Sequence, residues 1–573
     1  MDRLKEITEY LRRWGIGWLA VGLLAAGVAV AQQASPPAQV PPAQANPPTQ
    51  SAPQVPSTPP SQTAPQARPA PSTQAAPPAG QSGKATPEQN KPEHLVTEKE
   101  AKELFRSVDK ITKFASKETK LPIRDQVKRE LVNRDQVEAY INKRMDEDED
   151  VQRMQRSEAV LKKFGLLPHS FDLRSFFVAM LREQVAGYYD PKTKTVNLLN
   201  WVEPAVQEPV LAHELTHALQ DQSFDLDGWM KGTGPGVEKV SASGSGPSSP
   251  QRTQDKEVNK KTNQNKETQA KNHNDENVVE VQSDEQQAAR LAVVEGQAML
   301  VLVDFMLAPT EQSVVDSPGV VDAIKQGMMV GDNSPLFNKA PLFLKESLTF
   351  AYRYGLDFEK EILLKKGKEA AFAGVFKHPP DTERQIMEPA AYLSDEHLPA
   401  MGIPDFDAIL SQRYDKFDIG SFGEFDVSIL VKQFSGPDAS DRLTPSWRGG
   451  YYYAVRRKGE KDGPLAVMYV SRWASAEDAA EFADIYSKSV KRRYKNAVPV
   501  KIPERLDIAE HVPGYVSIAA RVAEDAKTPA EWMTDEGRVT IEKHGTLVLA
   551  MESFDRESAD KLREAVLSVN QPH

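Results

Sequence analysis

The sequence predicts an α+β protein: a mainly helical domain carrying a small β-sheet, followed by a smaller α+β domain. Three observations lead there. Apolar residues recur at three- and four-residue spacing through most of the first half. One hairpin-like pattern, between residues 185 and 199, interrupts that period. In the last third the pattern changes to paired apolar runs, each pair followed by a helical stretch. At 573 residues the chain exceeds the usual size of one domain, and its 42 prolines are concentrated in separable segments.

At the N-terminus, Lys5, Arg12 and Arg13 precede an apolar run from Trp14 to Ala31 that ends in Ala29-Val30-Ala31. This reads as a signal peptide over residues 1–31, cleaved after Ala31. The alternative is an uncleaved inner-membrane anchor over residues 14–31, since a run of about 18 residues is at the lower limit for spanning a bilayer. Residues 32–95 follow as a Pro/Ala/Gln-rich disordered linker, with almost nothing from which to build a core.

Helical patterning begins near Val96 and is carried by Ala101, Leu104, Val108, Ile111 and Phe114. A strand is expected over Val127 to Val132, then helices over Gln136 to Met145, Val151 to Phe164 and Leu173 to Glu183. Val185 to Tyr189 and Thr195 to Leu199 flank Asp190-Pro191-Lys192-Thr193-Lys194 as a β-hairpin. Residues 231–284 contain no Leu, Ile, Met, Phe, Tyr or Trp and are expected to be a disordered insertion within a domain spanning 96–410. A loop of that length is tolerated because closure entropy grows slowly with length. Helix resumes at Glu285 and runs to Leu307, where Pro309 stops it.

In the second domain, 411–573, Tyr451 to Arg456 and Leu465 to Val470 pair as strands ahead of a helix from Ala476 to Tyr494. The order recurs: Arg538 to Glu542 and Thr546 to Met551 flank Lys543-His544-Gly545, and Glu557 to Val569 is helical. Two strand-strand-helix units predict an antiparallel sheet with helices on one face.

Charge and cysteine usage exclude several function classes. Seventy-one basic side chains against 82 acidic ones leave a net charge of −11, which argues against a nucleic-acid partner. The chain has no cysteine, so it has no disulfide framework, no lipid-attachment cysteine and no thiolate metal ligand. Any transition metal must be held by His, Asp or Glu.

Such a set is present. In Leu211-Ala212-His213-Glu214-Leu215-Thr216-His217-Ala218, the two histidines lie four apart and therefore share one helix face. Glu214, about 100° around the axis, then reaches a water on an ion held by both imidazoles. A third ligand is expected from Glu295, a single acid in the apolar stretch Ala288 to Ala298, where an unpaired carboxylate is costly. The alternative partner for Glu295 is Arg290. Gly296 and Ala298 permit another helix to approach closely.

These motifs resemble the gluzincins, zinc peptidases related to thermolysin. Ala212 to Ala218, with Asp221 beyond, is similar to the thermolysin signature, and Val294 to Ala298 resembles the Glu-Gly-x-Ala segment of uncharacterised exported bacterial relatives. Pro379 to Ile386 and Glu388 to Tyr392 resemble a downstream element of those proteins, in which His often stands at the Glu388 position. Met299 occupies the place of an acid found in thermolysin, which leaves Asp221 as the expected support for the ligands. The resemblance implies a zincin-type metallopeptidase fold for residues 96–410, with Zn2+ on His213, His217 and Glu295. It also implies peptide-bond hydrolysis with Glu214 as general base to a zinc-activated water. Candidate oxyanion donors are Tyr188, Tyr189, Tyr352, Tyr354 and His378, and an extended substrate is expected beside Thr195 to Leu199. The implied partner is a peptide or protein in the periplasm or outside the cell. The alternative is a non-catalytic metal-binding envelope protein that retains a peptidase-like fold for binding or assembly.

Overall fold

The computed structural model describes residues 95–145, 148–184, 187–232, 273–330, 334–500 and 531–570. The expected signal segment, the linker up to residue 94 and residues 233–272 of the expected insertion lie outside them. The longer elements run α1 (Glu98–Thr119), β1 (Lys128–Val132), α2 (Arg134–Met145), α3 (Asp148–Lys163), α4 (Leu173–Gln184), β2 (Tyr188–Asp190), β3 (Thr195–Leu199) and α5 (Pro204–Phe224). Then come α6 (His273–Leu307), α7 (Val320–Val330), α8 (Leu342–Lys366), β4 (Tyr414–Ser421), α9 (Glu424–Ser435), β5 (Trp447–Arg457), β6 (Ala466–Trp473) and α10 (Ala476–Arg493). The chain closes with β7 (Ala497–Pro499), β8 (Glu531–Thr534), β9 (Gly537–His544), β10 (Leu547–Glu552) and α11 (Arg556–Asn570). The protein is α+β, with helices and strands largely segregated along the chain.

Helix α1 starts at a capping box in which Thr97 and Glu100 satisfy each other's backbone N–H groups. Its apolar stripe, Leu104, Val108 and Ile111, joins Val196 and Leu198 of β3 and Leu211, Ala212, Leu215 and Ala218 of α5 in one small core. That core holds one face of α5. The rest of α5 between Val210 and Asp221 is buried too, as expected of a helix apolar on most sides.

The first sheet has the order β1-β3-β2, with β1 parallel and β2 antiparallel to β3. Thr195 to Leu199 is therefore the central strand, not an edge. The expected strand addition beside it is excluded, because β1 pairs along its full length and β2 pairs with Thr195 to Asn197.

Helix α6 begins at His273, earlier than the expected Glu285, because extending an existing helix is far cheaper than nucleating one. Its apolar window is long enough to cross a membrane, but 78% of it is buried inside the fold, as in a core helix. Helices α6 and α8 cross in backbone contact at Gly296 and Gly355. A Cβ at Gly296 would lie 2.3 Å from the Gly355 carbonyl carbon and oxygen. The close approach expected from Gly296 is thus present.

The second sheet is antiparallel, in the order β4-β5-β6-β10-β9-β8-β7. Both strand-strand-helix units occur, but their helices cover opposite faces, not one. Tyr452, Ala454, Val467 and Tyr469 join α10 in the main core, whereas Tyr451, Tyr453, Met468 and Val470 pack with Leu562 and Val566 of α11. Strands that are apolar on both faces require two covering layers. The change of character near residue 410 is a change of secondary structure, and the hydrophobic core continues across it. Phe164, next to α3, stacks on Phe422 at 4.7 Å and meets the edge of Tyr469 at 5.8 Å.

Candidate metal centre

Helices α5 and α6 bring His213, His217 and Glu295 together. Nε2 of His213 lies 3.0 Å from Nε2 of His217 and 3.1 Å from Oε2 of Glu295, and the third side of this triangle is 3.3 Å. Among the described residues this is the one group of three or more His, Asp or Glu side chains with converging ligand atoms. Tetrahedral coordination with bonds of 2.0–2.1 Å spaces neighbouring ligand atoms about 3.3 Å apart, so the triangle fits a metal ion. Arg290 is not the partner of Glu295. Its guanidinium donates to the Trp229 carbonyl at 2.8 Å.

All three ligands are more than nine-tenths buried, and the electrostatics follow from that. Burial lowers the His213 pKa, and the nearby Glu295 only partly offsets it. Burial acts the same way on His217, but Glu295, helped by Glu214 and Gln220, outweighs it and raises that imidazole to about 9. Burial would raise Glu295, yet His217 and His213 hold it down at about 2. His217 and Glu295 form an ion pair, and a dication held there would replace the imidazolium proton.

Glu214 follows His213 on α5 and interacts electrostatically with His217 and Glu295. Its Oε2 accepts from the Tyr189 N–H of β2 at 2.8 Å, while its buried Oε1 has no hydrogen-bond partner. Desolvation pushes this carboxyl up to about 8, against the pull of His217. A cation on the three ligands would draw it down again. An unpartnered carboxylate oxygen beside the ligand triangle is suited to accept a proton from a water.

The support for the ligands differs from expectation. Asp221 accepts from the Tyr189 hydroxyl at 2.8 Å and pairs with Lys194, so it clamps the hairpin to α5 and does not orient a ligand. His217 Nδ1 instead faces Oε1 of Gln220 at 2.9 Å. Gln220 Nε2 donates to the Val294 carbonyl at 3.1 Å and to Gln297 Oε1 at 3.0 Å. Gln297 Nε2 donates to the carbonyls of Ala371 and Phe372 at 2.8 and 3.1 Å. Sequence reasoning missed this pair: Gln297 is a lone amide in a buried apolar helical stretch, but Gln220 is followed by Asp221 and Gln222 and does not stand out.

Of the expected oxyanion donors, Tyr352 has its ring against that of His213. The ring centroids are 6.3 Å apart, and burial with the charges of Glu295 and Glu214 keeps the Tyr352 phenol protonated. The Tyr189 hydroxyl is engaged by Asp221, Tyr188 packs on Tyr140, and Tyr354 packs on Phe350 and Phe425. His378 is exposed, and its carbonyl accepts from the Tyr392 hydroxyl. The segment around Glu383 and Glu388 belongs to a different region. Glu285 accepts from the Glu383 N–H at 2.9 Å, and Arg384 pairs with Glu424 at 3.0 Å, joining α6 to α9.

Residues 412–528 match a family model described as a domain of unknown function (DUF8575). The match falls in the region of the second sheet, away from the ligand cluster, and covers less than half of the chain. No curated protein and no solved structure matches the chain.

Proposed function

We propose that the chain is an exported zinc metallopeptidase of the gluzincin type, with a zincin-type fold in residues 96–410. The observation that carries this is the convergence of His213, His217 and Glu295 on one point with the unpartnered Glu214 oxygen beside it. Two imidazoles and one carboxylate, with no fourth protein ligand among the described residues, suit a catalytic zinc more than a closed structural one. When bound, zinc supplies Lewis acidity toward a peptide carbonyl and acidifies water. Glu214 takes the proton of the attacking water and returns it to the leaving amine, its carboxylate held in place by the Tyr189 N–H. Tyr352 donates to the developing oxyanion. The substrate is a peptide or protein of the periplasm or cell exterior, and the N-terminal basic and apolar run supports export.

One observation favours the alternative, a non-catalytic metal-binding envelope protein: His213 and Glu214 are 0% and 2% exposed, which leaves little access to them. An unbiased peptide library separates the readings. Cleavage by the purified protein, abolished by chelation and restored by zinc, supports the peptidase. A zinc-loaded protein that cleaves nothing supports the alternative.

A further inference from the structure

The amide pair behind His217 settles a question that the ligand triangle leaves open, namely which ring nitrogen of His217 carries the proton when metal is bound. We infer that main-chain carbonyls fix this tautomer through two buried amides. Gln220 and Gln297 are then positioning residues for metal binding. The inference rests on the metal centre proposed above.

The argument starts at the far end of the chain of bonds. Ala371 and Phe372 lie in a π-helical turn, Ala370–Gly374, and their carbonyls can only accept. They face one end of the Gln297 amide at 2.8 and 3.1 Å, so that end is the NH2 group. Its Oε1 therefore points to Gln220. The Val294 carbonyl, also an acceptor only, faces Gln220 together with that oxygen, so the Gln220 end between them is the NH2 group. Gln220 Oε1 is left to face His217 Nδ1 at 2.9 Å. An oxygen there requires Nδ1 to carry the hydrogen. Nε2 then presents its lone pair to the point shared with His213 and Glu295.

Turning over either amide would set oxygen against carbonyl oxygen where both glutamines are 0% exposed, a repulsion that burial makes costly. Glu359 lies 3.4 Å from Gln297 Nε2, a weaker contact than the two carbonyls, so it is not the determinant. The two carbonyls and the Val294 carbonyl belong to main chain, so ordinary substitutions along the route leave the polarity of its ends unchanged.

The test uses wild-type protein, Gln220→Leu and Gln297→Met, each checked for folding by circular dichroism. Zinc affinity is measured by competition with a chromophoric chelator. The cobalt-substituted forms are examined by proton NMR for a hyperfine-shifted, slowly exchanging Nδ1–H of His217. Wild type should bind zinc and show that proton. Gln220→Leu should lose about 10–100-fold in affinity and lose the proton signal. Gln297→Met, further from the metal, should show a several-fold loss and faster exchange, and it carries the test if Gln220→Leu does not fold. Wild type that binds zinc without the slow proton overturns the relay. So do variants that keep wild-type affinity and exchange. Wild type that binds no zinc overturns the metal centre itself, and the relay with it.

Discussion

Two glutamates on α6, Glu295 and Glu285, are ten residues or about 15 Å apart along one helix, both are buried, and their carboxyl groups are driven in opposite directions. Burial pushes each toward the protonated form. At Glu295 two imidazoles overcome it, and the carboxylate is held ionised at about 2. At Glu285 the neighbour is Asp426, with Glu383 in contact, so burial and like charge act together and the carboxyl is raised. Backbone N–H donors, from Glu383 to Glu285 and from Phe425 to Glu383, only moderate this. The first arrangement keeps a carboxylate charged beside two imidazoles, as a cation site requires. The second holds protons and caps two helix starts. Burial of an acid is therefore not by itself a sign of a metal site, and the sign of its neighbours decides.

The largest expected effect is at the site beside Glu295. Glu214→Gln keeps the shape and polarity near the ligands but removes the base, so peptide hydrolysis should fall by about 10²–10⁴-fold. Full activity in that variant would remove Glu214 from the chemistry. The next effect contrasts two close contacts of α6, its crossing with α8 at Gly296 and the approach of Gly423 to the Glu285 carboxylate. A Cβ at Gly296 would meet backbone at 2.3 Å, whereas one at Gly423 would meet the Glu383 and Glu285 carboxylate tips at 2.2 and 2.4 Å. Backbone cannot move aside and side-chain tips can, so Gly296→Ala should cost about 3 kcal/mol and Gly423→Ala about 1 kcal/mol in urea unfolding. Equal losses would mean that the carboxylate cluster is as rigid as the helix crossing.

The smallest effect concerns pH. The native pKa of Glu285 is raised, so the folded state binds its proton more tightly than the unfolded chain does. Its stabilising contribution is complete below the ordinary glutamate value and is lost as pH rises through the elevated native one. Glu285→Gln should flatten the decline in melting temperature between about pH 4.5 and about pH 7, leaving a remainder due to Glu383 and Glu424, whose carboxyls are also raised. An unchanged slope would contradict the assignment of like-charge strain to this cluster.

The residues of the candidate metal centre were legible because their signals are local. His213, Glu214 and His217 are read from spacing on one helix, and Glu295 from a lone acid in an apolar stretch beside Gly296. The two β-hairpins of the C-terminal part were legible for the same reason, since each is a pair of apolar runs joined by a short polar connection. What depends on distant pairing was not. The central place of β3 requires β1, which precedes it by some sixty residues and lies parallel to it. Strand β4 was missed because a register irregularity between Lys416 and Asp418 breaks its alternation. The Gln220–Gln297 pair forms only where α5 and α6 meet, and no periodicity marks a buried amide as bonded. The two-sided covering of the large sheet was written in Tyr451-Tyr452-Tyr453, apolar on both faces.

The central claim is that Glu295 completes a metal centre which Glu214 adjoins but does not build. Zinc content by mass spectrometry of wild type, Glu295→Ala and Glu214→Gln tests it most directly, with equal folding confirmed by circular dichroism. About one zinc per chain is expected in wild type and in Glu214→Gln, with a sharp drop in Glu295→Ala. Zinc retained in Glu295→Ala at the wild-type level, or lost in Glu214→Gln alone, would contradict the account.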